Sequence, residues 1–379
     1  MRILADENLV RVRELFSPYG EVHTVPGRSI SAALLRDFDI LLVRSVTPVS
    51  ASLLQGSRCR FVGTATSGID HVDEDELAKL GIRLAWARGC NSISVVDYVF
   101  SVLVALSPVG GASWQQKSVG IIGCGQIGTV LAKKLLQLGM RVRIHDPLLS
   151  AEHELASHFT SMREVLQQEI ITLHVPLTRT GAAPTFHMLA QAELAQIPAG
   201  SQLINAARGA VIDNECLLQW LQKKPEQQVV LDTWENEPGI KRELLQRVVL
   251  GTPHIAGYSQ QGKEGGTRMV LHEFCQYFGF SIAESKPVPA QQLQLATGVT
   301  DNPLHQLNSL ILAAYDVRKD HQAMQALLTS TEPAADFDAL RKHYPCRHEF
   351  SHFRVESAQL HPATREAAST LGFQLSLAS

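Results

Sequence analysis

One arginine and one histidine each follow a run of residues that has the composition of a buried strand. Arg208 comes after Gln202–Ala206, and His254 comes after Val248–Gly251. An arginine can hold the carboxylate of a small acid through two parallel hydrogen bonds, and it can polarise the oxygen on the neighbouring carbon, C2. An imidazole can accept a hydroxyl proton near neutral pH, as the oxidation of a secondary alcohol requires. The two residue types therefore favour chemistry at the alcohol of a small 2-hydroxy acid.

A carboxylate beside the imidazole would fix its tautomer and orientation. Glu237 could bond the second ring nitrogen of His254, and Glu235, in the same segment, could do the same. Spacing alone leaves this choice open. Two other interpretations also remain open. Arg208 could be a surface residue that pairs with Asp213, and His254 could have no special role, since the chain has 15 histidines.

A glycine-rich sequence, Gly123-Cys-Gly-Gln-Ile-Gly128, follows a strand-like run and precedes a helical one. The first glycine permits a tight turn, the second lets a pyrophosphate approach the backbone, and the third permits close packing of helix on strand. The start of the helix offers unpaired N–H groups to the phosphate. Asp146, at the end of the next strand, could bind a ribose 2′-OH and would repel a 2′-phosphate. This motif favours NAD over NADP.

Alternating strand and helix patterns position these residues. In the first 92 residues the candidate strands are Arg2–Ala5, a weaker one near Val22, Asp39–Val43, Arg60–Thr64 and Ile82–Trp86. A long helix over Ile93–Leu106 precedes six further strands: Val119–Gly123, Val142–His145, Ile170–His174, Gln202–Ala206, Val229–Leu231 and Val248–Gly251. The alternation predicts two parallel sheets with helices between the strands, the second of them doubly wound. Ligands bind beyond the carboxyl ends of such strands, where Arg208, Asp232, His174 and His254 would converge.

Beyond His254, the sequence predicts that the chain packs back on the first domain and then forms a third domain. A helix over Lys263–Phe280 is expected to pack on the first domain, and Ser285–Ala290 has the composition of a linker. A small α+β domain then follows, with helices near Leu304–Leu328 and Phe337–Tyr344, a strand around Glu349–Val355, and a final helix and strand. We therefore predict a discontinuous domain over 1–92 and 257–285, a second over 93–256 and a third over 286–379.

Bulk composition excludes several classes of function. Apolar residues make up 45% of the 379 residues and the net charge is −3, so the chain is globular and offers no overall positive field for nucleic acid. The longest apolar stretch is too short and polar to span a membrane. Six scattered cysteines form no CxxC pair, so we predict neither a disulfide framework nor a metal site. The first residues read as a strand rather than a signal peptide, and we expect a cytoplasmic protein.

The motifs together resemble the D-isomer-specific 2-hydroxyacid dehydrogenases over about the first 280 residues. The runs that carry this resemblance are Gly123–Gly128, His174-Val-Pro-Leu-Thr178, Asn205-Ala-Ala-Arg-Gly-Ala-Val211, Leu231-Asp-Thr-Trp-Glu-Asn-Glu-Pro238 and Thr252-Pro-His-Ile-Ala-Gly257. The resemblance implies a doubly wound NAD-binding (Rossmann) domain, a flavodoxin-like substrate domain and the catalytic trio Arg208, Glu237 and His254. It also implies that Asp146 holds the adenosine ribose and Asp232 the nicotinamide amide. The full set of implied cofactor contacts is Gly123, Gly125, Gln126, Ile127, Gly128, Asp146, His174, Val175, Ala206, Ala207, Asp232 and Gly257.

Three features resemble one branch of that family, which acts on a phosphorylated 2-hydroxy acid in vitamin B6 biosynthesis. They are the particular sequences of Phe61–His71 and Arg88–Phe100, the short segment between Leu106 and Val119, and a tail similar to that branch's dimerisation domain at Tyr315–Asp320 and Phe337–Tyr344. The resemblance implies a homodimer formed through 287–379, with the substrate bound by Ser45, Thr66 and Tyr258. Arg88 departs from the family, whose members often have proline there.

Several alternatives remain at this level. A 3-phosphoglycerate, glyoxylate or lactate dehydrogenase would share every catalytic motif, and an NAD-sensing binding protein would share the fold. Ser45 and Thr66 could instead cap turns. Arg44 and Arg88 are candidates for the substrate phosphate, but either could be a solvated surface residue.

Overall fold

Parallel strands form both large sheets, as the alternation of patterns predicts. The computed structural model describes residues 1–107, 113–282, 289–294 and 301–376. Two units separate by their internal contacts, the first comprising Met1–Ser92 with Tyr258–Pro289 and the second Ile93–Gly257 with Ala290–Ser379. The predicted boundaries of three domains stay predictions. Residues 108–112, within the short segment between Leu106 and Val119, and most of the predicted linker Ser285–Ala290 lie outside the described residues.

The first unit contains a five-stranded parallel sheet. Its strands are β1 (Arg2–Asp6), β2 (Glu21–Val25), β3 (Ile40–Val43), β4 (Phe61–Thr64) and β5 (Arg83–Trp86), and the helices between them are α1 (Val12–Phe16), α2 (Ala32–Leu35), α3 (Ala51–Leu54) and α4 (Glu74–Lys79). The strand order β2-β1-β3-β4-β5 is that of flavodoxin-like folds. Every residue of β3 and β4 is buried, as expected for strands covered on both faces. The predicted flavodoxin-like architecture is confirmed.

A second, six-stranded parallel sheet begins after helix α5 (Ser92–Ala105). Its strands are β6 (Ser118–Ile122), β7 (Arg141–His145), β8 (Ile170–Leu173), β9 (Gln202–Asn205), β10 (Gln228–Leu231) and β11 (Leu250–Gly251), and its helices are α6 (Gln126–Gln137), α7 (Met162–Leu166), α8 (Gln191–Leu194), α9 (Asn214–Lys223) and α10 (Arg242–Leu245). The order β11-β10-β9-β8-β6-β7 confirms the doubly wound fold.

Two details of this sheet differ from expectation. The strand that usually lies beyond β7 in doubly wound folds is reduced to one isolated bridge between Ile144 and Phe159. At the opposite edge, β11 is shorter than the predicted Val248–Gly251 because the Val248 N–H still bonds to a carbonyl of α10. The N–H of Gly251 donates to Nδ1 of His321 at 3.0 Å.

Helix α11 (Gln260–Phe278) belongs to the first unit, where the sequence places it. Ser259 begins it by accepting the N–H of Gly262, and Gly279, with a φ of 73°, ends it. Phe274 lies on its buried face, with its ring centroid 5.4 Å from Phe16 and 5.5 Å from Phe61. This aromatic cluster fixes the helix on the five-stranded sheet. Among the described residues, no helix is both long and apolar enough to cross a membrane.

The C-terminal region is α+β, as predicted. Its helices are α12 (Pro303–Ala314), α13 (Val317–Gln325), α14 (Pro333–Lys342) and α15 (Pro362–Leu371), and its parallel sheet joins β12 (Gln291–Gln292), β13 (Phe353–Glu356) and β14 (Gln374–Ser376). The predicted single helix over Leu304–Leu328 is wrong. The chain is extended at Tyr315 and Asp316, and the side chain of Asp316 caps α13. Ser101 of α5 supports the break, since its hydroxyl donates to the Tyr315 carbonyl at 2.8 Å and accepts the Val317 N–H at 3.0 Å.

Candidate active site

The turn that carries Arg208 follows β9 at the carboxyl edge of the six-stranded sheet. Asn205, which is fully buried, accepts the Ala207 N–H at 3.1 Å and donates to the Arg208 carbonyl at 3.0 Å. Gly209 is needed because a Cβ there would lie 1.9 Å from the backbone of Trp234. The guanidinium of Arg208 is half-buried, and its Nη1 donates to the Ala207 carbonyl at 2.9 Å. A rigid turn therefore presents this cation at the edge where ligands bind.

His254 and Glu237 form a direct pair. Nδ1 of His254 lies 2.6 Å from Oε2 of Glu237, and Oε1 of Glu237 accepts the Trp234 N–H at 2.7 Å. Burial acts to raise the pKa of Glu237, but the charge on His254 and the hydrogen bonds to the carboxylate outweigh it and hold that pKa below its usual value. The His254 side chain keeps 32% of its surface exposed. The pair is thus an ionised carboxylate that orients an accessible imidazole.

Glu235, the other glutamate considered as a partner of His254, bonds to a different histidine. Its Oε1 lies 2.8 Å from Nε2 of His187, whose Nδ1 lies 3.5 Å from Oδ2 of Asp213. The second oxygen of Glu235 accepts the N–H of Asn214 at 3.2 Å. These three acid and imidazole groups lie close enough to hold a metal ion. The two nitrogens of His187 face different carboxylates, however, and its contact with Glu235 is a hydrogen bond. The structure therefore pairs His254 with Glu237 and not with Glu235.

Asp232 fixes the loop around His254 through three hydrogen bonds. The Asp232 carboxylate accepts the Ile255 N–H at 2.8 Å, the Ala256 N–H at 2.9 Å and the Thr252 hydroxyl at 2.6 Å. Within this loop His254 has a φ of 55°, in the left-handed region that residues other than glycine rarely adopt. Such a conformation costs about 1–3 kcal/mol and persists only where the surroundings enforce it.

Two of the four side chains expected at this edge point into the protein. Asp232 is 1% exposed, and His174 is 7% exposed with its Nε2 2.9 Å from the hydroxyl of Thr172. Burial lowers the pKa of His174 to about 3, so its ring is neutral. His174 directly follows β8 at the expected edge, and its N–H continues the sheet by bonding to the Ile122 carbonyl; its contact with a cofactor stays a prediction. Contact of Asp232 with a nicotinamide amide stays a prediction.

The three glycines of Gly123–Gly128 meet three different requirements. Gly123 has a φ of 91°, and a Cβ on it would lie 2.6 Å from Cγ1 of Val175. A Cβ on Gly128 would lie 2.0 Å from the Gly123 carbonyl oxygen. A Cβ on Gly125, at the N-cap of α6, would have no described atom within 4 Å. Packing demands the first and third glycines, and the space at the second is open where a pyrophosphate would approach the helix.

The other residues expected to contact the cofactor lie mainly at strand ends and helix starts. Asp146 follows β7, and its carboxylate accepts the Cys124 N–H at 2.8 Å and the Leu148 N–H at 3.1 Å. The remaining expected contacts occupy helix starts and strand ends: Gln126 and Ile127 begin α6, Ala206 and Ala207 follow β9, and Gly257 follows the His254 loop. Their cofactor contacts stay predictions, but the open glycine turn beside an acidic residue fits a dinucleotide.

A matched pair of substitutions separates cofactor space from packing. We expect Gly128→Ala to destabilise the fold by about 1–3 kcal/mol, because its Cβ would overlap a backbone oxygen. Gly125→Ala should leave the melting temperature unchanged and raise the Kd for NAD about tenfold or more, because the methyl group enters the phosphate space. Thermal unfolding and NADH fluorescence titration measure the two effects. Unchanged NAD affinity in folded Gly125→Ala would contradict this assignment.

In the first unit, the expected substrate residues differ in how they are held. Ser45 is exposed after β3, whereas the hydroxyl of Thr66 lies 2.7 Å from that of Thr64 and donates to the Gly68 carbonyl at 2.9 Å. Thr66 therefore also supports its turn. The ring centroid of Tyr258, which is half-buried, lies 4.7 Å from Nζ of Lys263. Substrate binding by these residues stays a prediction.

The two candidate cations of the first unit also differ. Nε of Arg44 lies 3.0 Å from Oδ2 of Asp6, a fully buried carboxylate at the end of β1. Arg44 is thus held by an ion pair at the carboxyl edge of the sheet and is not a freely solvated side chain. Arg88 is exposed.

Several residues that support the site were not predicted from the sequence. Thr252 and Asn205 are buried hydrogen-bonding residues within motifs already singled out, and their polarity beside apolar strands was an available signal. Ser94 and Arg347 also bond to the His254 loop, but they come from α5 and the C-terminal region. No local spacing connects residues so far apart in the chain.

Comparisons with known proteins match two regions of the chain to known domain families. The family of D-isomer specific 2-hydroxyacid dehydrogenase NAD-binding domains matches residues 105–256, and a domain of unknown function (DUF3410) matches 286–372. The erythronate-4-phosphate dehydrogenase of Cellvibrio japonicus is 43% identical over 99% of this chain and all of its own length. That of Marinobacter nauticus is 42% identical over the whole of both chains.

Solved structures show the same fold at lower identity. The NAD⁺-bound 3-phosphoglycerate dehydrogenase of Entamoeba histolytica has a TM-score of 0.63 at 21% identity, covering 74% of this chain and 95% of that one. The D-lactate dehydrogenase of Aquifex aeolicus, in complex with NAD and lactic acid, has a TM-score of 0.62 at 22% identity, covering 74% and 96%.

Proposed function

The chain belongs to the erythronate-4-phosphate dehydrogenases of the D-isomer-specific 2-hydroxyacid dehydrogenase family, and we propose that it oxidises 4-phospho-D-erythronate with NAD. The product is (R)-3-hydroxy-2-oxo-4-phosphobutanoate, and the reaction serves vitamin B6 biosynthesis. The observation that best supports this chemistry is the 2.6 Å hydrogen bond between Glu237 and Nδ1 of His254. That bond leaves Nε2 as the nitrogen that can accept a proton.

Three side chains divide the work at the reacting carbon. Bound NAD supplies the hydride acceptor. Arg208 holds the substrate carboxylate and polarises the C2 oxygen. Nε2 of His254 accepts the C2 hydroxyl proton, the O–H electrons form the carbonyl, and the C2 hydrogen leaves with its electron pair. The ionised Glu237 stabilises the resulting imidazolium and fixes its orientation. In the reverse direction the same imidazolium returns the proton.

We also propose which residues bind the rest of the substrate, the oligomeric state of the enzyme and its location. Ser45, Thr66 and Tyr258 are proposed to bind the hydroxyl and phosphate groups of the substrate. We further propose a homodimer formed through 287–379 and a cytoplasmic location, without a role in binding nucleic acid. Light scattering of the intact chain tests the dimer, and a monomer at working concentration would contradict it.

A direct assay tests the function. Purified protein is mixed with NAD and 4-phospho-D-erythronate, and NADH absorbance is followed, with 3-phospho-D-glycerate, glycolate and D-lactate as competing candidates. We expect the highest kcat/KM with 4-phospho-D-erythronate. A higher value with another acid would reassign the substrate. Tight NAD binding without turnover of any acid would favour an NAD-sensing protein.

The two neighbouring glutamates provide a matched test of the pair. We expect Glu237→Gln to lower kcat by about 10²-fold or more, because the neutral amide does not stabilise the imidazolium. Glu235→Gln should stay within about threefold of the wild type, since Glu235 bonds to His187 and not to His254. Steady-state kinetics of the two variants measure the difference. Equal losses in both would reject the pairing.

A further inference from the structure

The two residues that follow His254 are anchored on both the N–H and the C=O side. The N–H groups of Ile255 and Ala256 donate to Asp232 at 2.8 and 2.9 Å. The Ala256 carbonyl accepts the Ser94 hydroxyl at 2.9 Å, and the Ile255 carbonyl accepts Nη1 of Arg347 at 3.3 Å. Buried peptide groups are nearly always paired in this way. Here one of the partners, Arg347, comes from the C-terminal region.

Burial, a hydrogen bond and a ring contact hold the Arg347 side chain in place. Its side chain is 6% exposed, and its Nη2 donates to the Ser94 carbonyl at the start of α5. Its guanidinium carbon lies 3.8 Å from the ring centroid of Tyr315. A buried guanidinium requires such a set of acceptors and ring contacts, because desolvation of the charge is costly. A residue needed only for packing would not have to carry this charge.

We propose that Arg347 is a positioning residue for catalysis, which holds the His254 loop in the conformation that places the imidazole against Glu237. This inference rests on the proposed function. It also assigns a role to the C-terminal region beyond its proposed part in dimerisation, since that region supplies one of the anchors of the catalytic loop.

The link between the anchor and the imidazole is the strained backbone of His254. A φ of 55° relaxes toward negative values once the peptide groups beside it are released. That rotation would move the ring away from the carboxylate 2.6 Å from Nδ1. Ten of the twelve expected NAD contacts lie outside the His254 loop, whereas Gly257 belongs to it and Asp232 bonds to it. Loss of Arg347 should therefore lower kcat much more than it weakens NAD binding.

The test replaces Arg347 and follows both the loop and the reaction. In Arg347→Met we expect kcat to fall about 10- to 100-fold, while the Kd for NADH stays within about threefold of the wild type. Hydrogen exchange of a peptide covering 252–257, measured by mass spectrometry, should be faster than in the wild type. Substrate deuterated at C2 should show a larger isotope effect on kcat, because the chemical step becomes slower. Arg347→Lys, which keeps one of the two donor directions, should be intermediate.

Arg242→Met is the matched control. Arg242 also donates from a guanidinium to a carbonyl of the C-terminal region, that of Ser330 at 2.7 Å, but has no bond to the His254 loop. Its kinetics and exchange at 252–257 should match the wild type. Wild-type kcat and exchange in Arg347→Met, or equal changes in both variants, would overturn the proposal. If Arg347→Met does not fold, Arg347→Lys decides in the same way. The exchange measurement needs no substrate, so it still tests the anchor if the proposed function fails.

Discussion

Replacing His254 with alanine should lower kcat by about 10²–10⁴-fold while the affinity for NAD is retained. The reason is that the alcohol proton would lose its acceptor, and general acid–base catalysis contributes a factor of that size. His254 is not among the twelve expected cofactor contacts, so replacing its side chain should leave the cofactor site intact. Steady-state kinetics with 4-phospho-D-erythronate and fluorescence titration with NADH measure the two effects.

His187→Ala is the natural comparison for this experiment. His187 also lies 2.8 Å from a glutamate oxygen, and its side chain is exposed to a similar extent, 29% against 32%. It stacks on Phe186, with ring centroids 3.9 Å apart, and has no bond to Glu237. We expect its kcat to stay within about threefold of the wild type. If His254→Ala kept full turnover, this imidazole would have no part in the mechanism.

Replacing Arg208 with glutamine should lower kcat/KM by about 10²–10³-fold. Removing one partner of a desolvated, hydrogen-bonded charge pair costs about 3–4 kcal/mol, which corresponds to that factor. Arg208→Lys should recover only part of the loss, because an ammonium group does not match both carboxylate oxygens in one plane. Kinetics over a range of substrate concentrations measure this change.

Two further observations decide how the Arg208 result is interpreted. Arg318→Gln removes a guanidinium from an exposed ion pair with Asp316 and should leave kcat/KM unchanged. Melting temperatures of all three variants show whether the fold has survived. A folded Arg208→Gln enzyme with wild-type kcat/KM would mean that another group binds the substrate carboxylate.

The sequence predicted those parts of the molecule that local patterns determine. Parallel strands appeared as apolar runs between helical segments, and the glycine turn as three glycines with separate geometric needs. The ends of strands then located Arg208 and His254, because parallel strands carry their ligands at one edge. The parallel α/β class and the neighbourhood of the candidate site therefore followed from periodicity and turn chemistry, whereas the flavodoxin-like architecture of the first domain was implied by the family resemblance.

Other features depend on contacts between distant segments, and local patterns did not predict them. The choice between Glu235 and Glu237 is made by His187, which takes Glu235 as its partner. The predicted helix over Leu304–Leu328 breaks at Tyr315, where Ser101, from α5, bonds to both sides of the break. In each case a side chain far along the chain satisfies a group that the local pattern leaves undecided.

The short edge strand β11 has a consequence for the behaviour of the protein in concentrated solution. An exposed strand edge invites another chain to extend the sheet, which is a route to aggregation. Here the edge is only two residues long, and the Gly251 N–H is occupied by Nδ1 of His321. Burial lowers the pKa of His321, so protonation of this acceptor requires a more acidic solution than it does for a solvated imidazole. Protonation of that nitrogen would release the Gly251 amide, so this edge should be less protected against pairing with another chain as the pH falls.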